Sequence, residues 1–257
     1  MMHVARLIAI TWWFQLKQST KAGIFVFTAI IEPLIFATLA YYLFKAGKQP
    51  GTLLYAALSA GLMGIWSATL FGAGGAINYQ RWQGVLEPLI AAPPPYLLVL
   101  FPQTLAASTI GVYSLTSTLL WGRAVFGIPL HFVHPVAFLL AVAVTIVALG
   151  VLGLVLGSSF ILYREANALS NMLEFPVWIV TGAIVPLSLL PGWVHYLSWG
   201  LAPTWGYRAI RAGALGGNPW PGIGWALALA AVYLLIGEAI LRVFERRARE
   251  KATLSLV

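Results

Sequence analysis

The sequence predicts an all-α integral membrane protein with six transmembrane helices, an amphipathic interfacial helix before them, and both termini in the cytoplasm. Composition carries this prediction. Hydrophobic residues make up 60% of the 257 residues, against about 45–50% in soluble domains. Charged residues make up only 9%, against about 25%. With 15 Lys and Arg, 7 Glu and no Asp, the chain has too few charges to cover a soluble globule of this size.

Residues 1–20 are predicted to form the interfacial helix, because residues 3–17 are too short and too interrupted to span a bilayer. On a helical wheel the polar side carries His3, Arg6, Lys17 and Gln18. The opposite side is apolar, with Ala5, Ile8, Ala9, Trp12, Trp13 and Leu16. A signal peptide is the alternative, but no small-residue cleavage site follows.

Six apolar stretches of about 20 residues or more follow, each long enough to cross a bilayer. They cover residues 22–44, 52–77, 96–121, 135–162, 168–189 and 222–243. In the fourth stretch, Gly150, Gly153 and Gly157 form a small-residue stripe that predicts close helix packing, within or between subunits. Because no repeat or linker divides the chain, residues 1–257 are predicted to be one transmembrane domain.

Basic residues fix the predicted orientation. With a cytoplasmic N-terminus, ten lie inside and five outside, which agrees with the positive-inside rule. The outer five are Lys45, Lys48, Arg123, Arg208 and Arg211. Residues 244–257 form a basic cytoplasmic tail that either contacts anionic headgroups or only sets topology. In a membrane protein the net charge of +8 is a topology signal, so no nucleic-acid partner is predicted.

Enzyme motifs are missing from the sequence. His3, His131, His134 and His195 are scattered, and neither H-E-x-x-H nor G-x-S-x-G occurs. The chain has no Cys and no phosphate-binding G-x-x-x-x-G-K-[ST]. We therefore expect no catalytic residue, no metal site and no nucleotide hydrolysis by this chain alone.

Two acids, Glu32 and Glu174, lie inside predicted spans, where an unpartnered charge is costly. One reading is functional: a proton relay or a contact to a polar substrate. The other is structural: a hydrogen bond to the fourth span, or to carbonyls that Pro33 and Pro176 leave free.

The loop of residues 78–95, between the second and third spans, is the most informative segment. Arg81 and Glu87 are its only charges, and a triple proline ends it. Its apolar side chains are Trp82, Leu86, Leu89 and Ile90. The pattern predicts a short helix on the membrane surface that serves either as a plain connector or as a docking element for a soluble partner.

Residues 81–89, RWQGVLEPL, resemble the R-x-x-G-T-L-E-x-L-x-x-x-P loop of ABC-2-type permeases, the membrane subunits of type V ATP-binding-cassette exporters. Residues 182–193, GAIVPLSLLPGW, look like the G-x-x-x-P-x-x-x-L-P-x-W signature of the same family. The P-x-x-Y-x-x-x-x-R signature that follows it is matched by residues 203–211 in part. Val85 stands where the family usually has Thr, and Asn78 and Gln80 stand where many members have an acid.

The resemblance implies a coupling helix that docks on a separate ATPase subunit, which would supply ATP and Mg, while this chain needs no cofactor of its own. The implied docking residues are Arg81, Trp82, Gln83, Gly84, Leu86, Glu87, Arg164 and Glu165. It also implies a re-entrant segment, residues 190–219, that closes the outer end of the path. There Arg208 and Arg211, three residues apart beside Trp205 and Tyr207, are predicted either to receive a phosphate-bearing substrate or to anchor the segment on lipid phosphates.

The resemblance further implies a second permease subunit, identical or related, in the plasma membrane. We expect export of a hydrophobic or amphipathic small molecule, a drug or a lipid, because the spans are rich in aromatic residues and the outer loops are short. A polysaccharide or glycolipid is the alternative substrate. A channel or secondary transporter, with Glu32 and Glu174 as its ion or proton sites, is the alternative class, and an intramembrane enzyme ranks below it.

Overall fold

The computed structural model describes residues 2–21, 27–46, 53–161, 166–185 and 187–251, and its regular elements within these ranges are helices. A π-helical turn, Phe27–Ile31, precedes α2, and a 3-10 turn, Leu187–Leu189, follows α7. The α-helices are α1 (Met2–Lys21), α2 (Glu32–Ala46), α3 (Leu53–Trp82), α4 (Leu86–Ala91), α5 (Leu97–Phe126), α6 (Pro135–Phe160), α7 (Ala166–Val180), α8 (Gly192–Trp199), α9 (Ala202–Leu215) and α10 (Trp220–Lys251).

Among the described residues, four helices are long and apolar enough to cross a membrane: α3, α5, α6 and α10. Two shorter apolar helical stretches, Ala29–Tyr42 and Leu169–Val180, correspond to the first and fifth predicted spans. The predicted fifth span, residues 168–189, is not one helix, because α7 ends at Val180 after 15 residues. A helix of that length covers about 22 Å, less than the hydrocarbon core of about 30 Å. The count of six spans therefore stays a prediction.

Helices α2, α3, α5, α6, α7 and α10 connect two ends of the bundle, whereas α4 lies at one end. At the end that we call the loop end, residues 81–96 lie beside Ile161 and Glu245, the latter two close to the C-terminal parts of α6 and α10. At the opposite end, which we call the far end, the Tyr41 ring of α2 stacks on Phe126 of α5 with centroids 3.9 Å apart. Each end therefore gathers residues that are far apart in sequence.

Helices α3 and α5 form the central pair, and glycines let them touch. A Cβ on Gly64 would lie 2.5 Å from Ser114 Cβ, and one on Gly111 would lie 2.5 Å from Ile65 Cα. Only residues without a side chain permit this approach, which gives close van der Waals contact without a hydrophobic driving force.

The predicted small-residue stripe packs within the subunit. A Cβ on Gly150 would lie 3.0 Å from Leu105 Cα on α5, and one on Gly153 would lie 3.1 Å from Thr69 on α3. Helix α6 therefore uses this stripe to lie against the central pair.

Helix α1 packs along α5, where the Trp12 indole donates a 3.1 Å hydrogen bond to Thr109 Oγ1. Of the predicted apolar side, Ile8, Trp12 and Leu16 are half-buried, whereas Ala5, Ala9 and Trp13 are exposed. The half-buried side is instead formed by Ile8, Thr11, Trp12, Gln15, Leu16, Ser19 and Thr20. A second apolar sector stays exposed: Val4, Leu7, Ile10 and Phe14. Helix α1 has one side that packs on α5 and a second, apolar side that is exposed. A helical wheel divided into one polar and one apolar side does not distinguish these two sides.

Pro33 explains the distorted entry to α2. Proline has no N–H, so the Ala29 carbonyl lacks its usual partner four residues on. The Ser114 hydroxyl of α5 donates a 3.2 Å hydrogen bond to that carbonyl. The freed carbonyl is therefore satisfied by a neighbouring helix, the solution expected inside a bilayer.

Candidate functional site

The loop segment predicted for residues 78–95 begins later than the sequence predicts. Helix α3 continues through residues 78–82, which were expected to belong to the loop, and ends at Trp82. A turn follows in which Gly84 adopts φ +67°, a left-handed conformation that favours glycine. The short helix α4 then occupies Leu86–Ala91. The predicted boundary followed the end of the apolar stretch near residue 78. The helix continues to Trp82 because polar side chains are compatible with helical backbone hydrogen bonding.

Helix α4 is anchored by side chains that were expected to face outwards. Leu86 is only 8% exposed and Ile90 only 1%. Both pack in a cluster that includes Leu241 of α10, Leu154 of α6 and Tyr96. The prediction that Leu86 faces a docking partner is therefore wrong: this residue holds the segment on its own subunit. The apolar pattern showed that the helix is amphipathic but not which partner its apolar face contacts.

Arg81 also points into the subunit. Its guanidinium donates a hydrogen bond to the Ile161 carbonyl at the C-terminal end of α6. This contact ties the end of α3 to the end of α6 and places a cation where helix carbonyls are unsatisfied. Arg81 is therefore a brace of the segment, and only half-exposed.

A buried polar network that the sequence did not reveal lies beneath the segment. The Tyr96 hydroxyl donates a 2.5 Å hydrogen bond to Gln80 Oε1, and Gln80 Nε2 donates a 2.9 Å bond to Gln103. The backbone N–H of Tyr96 donates a 2.8 Å bond to Glu245 Oε1 of α10. Glu245 thus caps the start of α5 with a carboxylate, which the helix dipole favours.

The exposed remainder forms a protrusion that we call the docking knob: Trp82, Gln83, Gly84, Val85 and Glu87. The Trp82 side chain is 84% exposed, an unusual position for a large apolar ring. The docking residues expected in the next loop, Arg164 and Glu165, lie outside the described residues.

The two intramembrane acids come together between α2 and α7. Glu174 is 7% exposed and accepts a 2.5 Å hydrogen bond from Ser67 of α3. Glu32 is half-buried and lies within electrostatic reach of Glu174. The partner of Glu174 is thus on α3, not on the fourth span or a freed carbonyl as expected. Within the described ranges no group of three or more His, Asp or Glu side chains is arranged to hold a metal ion.

At the far end, Arg211 of α9 does not project beside Arg208. It donates hydrogen bonds of 2.8 Å to the Gly182 carbonyl, 3.2 Å to the Ala183 carbonyl and 2.9 Å to Ser59 Oγ. The predicted pair of outward guanidinium groups is therefore wrong for Arg211. The reason is local, since the carbonyls that follow α7 and Ser59 of α3 already accept the hydrogen bonds of this guanidinium.

The aromatic residues beside this pair are also internal. Tyr207 is 0% exposed, and its hydroxyl donates a 2.9 Å bond to the Leu62 carbonyl of α3. Trp205 is buried and stacks on Trp225, with centroids 5.5 Å apart. The expected outer contact is thus wrong for Tyr207 and Trp205. Arg208 alone of the four is exposed, with its guanidinium 4.9 Å from the centroid of the Trp205 ring.

Comparison with known proteins identifies the family. The family model for the ABC-2 type transporter matches residues 6–215, most of the 257 residues. This range includes the docking knob, both intramembrane acids and Arg211. Comparison with curated proteins gives no match. The chain therefore belongs to the ABC-2 type transporter family and is a membrane permease subunit of an ABC transporter.

Proposed function

We propose that this permease exports a hydrophobic or amphipathic small molecule, a drug or a lipid, driven by ATP hydrolysis in separate ATPase subunits. The docking knob is the feature of the structure that supports an ATP-driven mechanism. It offers an exposed indole and an exposed carboxylate, Trp82 and Glu87, on a short helix whose other face is packed in the subunit. Tryptophan is among the residue types that dominate the energy of protein interfaces, and a charge at the edge of such a contact adds specificity.

The anchoring makes the knob suitable for transmitting force. Leu86 and Ile90 belong to a cluster that includes side chains of α6 and α10, Arg81 bonds the end of α6, and Tyr96 bonds α10. A displacement of the docking knob would therefore be transmitted to α3, α5, α6 and α10 together. A plain connector would need neither the buried side chains nor the polar network.

A second permease subunit is part of the proposal. Helices α2 and α7 meet through the rings of Phe36 and Trp178, which are 5.3 Å apart, edge to face. Each helix presents an exposed apolar side: Ile35, Leu39 and Tyr42 on α2, and Met172, Phe175 and Ile179 on α7. We place the second subunit against this surface, with the path for the substrate between the two.

The chemistry of this surface favours an apolar cargo. Its six exposed side chains are apolar, and the carboxyl group of Glu174 is buried, while that of Glu32 is half-buried. Such a wall binds acyl chains and aromatic drugs through contact area alone. The exposed rings of Trp193, Tyr196 and Trp199 at the far end favour the alternative substrate, a polysaccharide or glycolipid, because aromatic faces stack on sugars.

The test uses the permease co-purified with its ATPase subunits and reconstituted in liposomes. A fluorescent acyl-labelled phospholipid, a rhodamine dye and a labelled lipid-linked oligosaccharide are offered in parallel. We expect ATP-dependent movement of the phospholipid or the dye away from the ATPase side. Movement of the oligosaccharide alone would establish the glycolipid alternative, and transport that follows a proton gradient without ATP would establish the secondary-transporter alternative.

A further inference from the structure

Arg211 joins three separate segments at the far end of the bundle. It extends from α9 to Ser59 of α3 and to the Gly182 and Ala183 carbonyls that follow α7. Its guanidinium also lies 4.1 Å from the centroid of the Tyr55 ring on α3, a cation–π distance. Arg211 therefore links the end of α7 to the start of α3, where the Tyr55 hydroxyl also donates a longer hydrogen bond, 3.4 Å, to the Gly182 carbonyl.

The backbone after α7 is shaped to receive this cation. Gly182 adopts φ +75°, and the Ala183 N–H donates a 2.9 Å bond to the Trp178 carbonyl, the pattern of a glycine-terminated helix. The turn leaves the Gly182 and Ala183 carbonyls pointing at the guanidinium. The negative end of the helix dipole favours a positive charge at this position.

We call the contacts of Arg211 with Ser59 and with the Gly182 and Ala183 carbonyls the clasp. The clasp contains no carboxylate. Arg211 bonds only to neutral oxygens, and its Nε lies buried without a hydrogen-bond partner. The ion pair of Arg242 with Glu238 lies far away, on α10. A guanidinium held by dipoles, with one donor unsatisfied, is easier to release than a buried ion pair.

We infer that Arg211 is a positioning residue for export: it holds the far end of α7 closed on α3, and the path opens on that side when this clasp releases. The inference rests on the proposed function, since it takes α7 as a wall of the path and the far end as the outer side. Arg211 acts through the α7 turn and contacts no substrate.

The test measures exposure of the α7 end, without transport. Thr181, the residue before Gly182, is 2% exposed, and the chain has no native cysteine. Thr181→Cys is introduced alone and together with Arg211→Gln, and its reaction with a membrane-impermeant maleimide is timed in nanodiscs. We expect labelling to be faster by about tenfold or more in Arg211→Gln, because charge-assisted hydrogen bonds are lost. Arg208→Gln, the matched control on the same helix, should leave the rate unchanged.

Further variants keep the outcomes decisive. Ser59→Ala removes one partner and should give a smaller increase, and it carries the test if Arg211→Gln does not reach the membrane. Ser158→Cys, buried at the loop end, reports general loosening. An unchanged Thr181→Cys rate in Arg211→Gln and Ser59→Ala, or an equal rise at Ser158→Cys, overturns the inference. In intact cells Gly217→Cys, exposed at the far end, tests the orientation separately: if it does not label, the proposed topology fails rather than the clasp.

Discussion

Ser67 on α3 donates a hydrogen bond of 2.5 Å to the carboxyl group of Glu174 on α7, and so links the central pair to a wall of the proposed path. The bond needs an acceptor oxygen at residue 174, not a charge. A neutral residue with an acceptor oxygen at position 174 therefore distinguishes a structural hydrogen bond from a proton-binding or substrate-binding role.

We predict that Glu174→Gln retains ATP-dependent transport within about twofold, because the amide carbonyl still accepts from Ser67. Ser67→Ala should lower the free energy of unfolding by about 1–2 kcal/mol, since it leaves a buried polar group without its donor. Transport in liposomes and thermal unfolding in detergent measure the two effects. A loss of transport in Glu174→Gln with unchanged stability would favour the proton-coupled alternative.

Reversal of the knob charge should disrupt docking. Glu87→Arg places a cation where the ATPase is expected to meet a carboxylate, and inverting a charge at such a contact costs about 2–5 kcal/mol. Co-purification of the ATPase should fall by at least about tenfold, with the unfolding midpoint of the permease unchanged because Glu87 is exposed. Arg123→Glu, a charge reversal at an exposed residue near the far end, is the control. Full co-purification with Glu87→Arg would contradict the docking assignment.

Truncation of a buried side chain of α4 should lower the stability of the permease, unlike the reversal of the exposed Glu87 charge. Ile90→Ala removes a side chain that is 1% exposed and should destabilise the subunit by about 2–4 kcal/mol. Leu89→Ala, on the same helix but only half-buried, should cost less. Thermal unfolding of the isolated permease measures the difference. Equal midpoints for the two variants would mean that α4 is not anchored as described.

The contact between α3 and α5 should not tolerate a methyl group. Gly64→Ala places a Cβ 2.5 Å from Ser114 Cβ, so the helices must separate, at a cost of about 1–3 kcal/mol. Gly75→Ala on the same helix meets no heavy atom within 4 Å and is the matched control. It should be neutral or slightly stabilising, because alanine favours a helix interior. Similar unfolding midpoints in the two variants would refute the close approach.

The orientation can be tested by cysteine labelling, because no native cysteine has to be removed. Gly217→Cys should react with an impermeant thiol reagent on intact cells, and Gln83→Cys only after lysis. Both residues are exposed, at the far end and the loop end respectively. Labelling of Gln83→Cys in intact cells would reverse the assignment of the two sides.

The amino-acid sequence by itself determined the class of this protein. A bilayer demands long apolar helices and excludes most charges, so composition and the length of apolar stretches predict a helical membrane protein directly. The short helix after Gly84, its closing prolines and the family resemblance also followed from the order of residues alone, because turn and helix-end signals are local. The ABC-2 family match confirms that resemblance.

Only the tertiary structure decided which side chains face a partner and which face the subunit. Leu86, Tyr207 and Arg211 have the residue types of contact surfaces, yet all three bond or pack within the chain. An apolar or basic side chain carries no record of which surface it meets, since burial depends on helices that are distant in sequence. Glu245 and Tyr96 are 149 residues apart in the chain, so the sequence could not predict the hydrogen bond between them for the same reason.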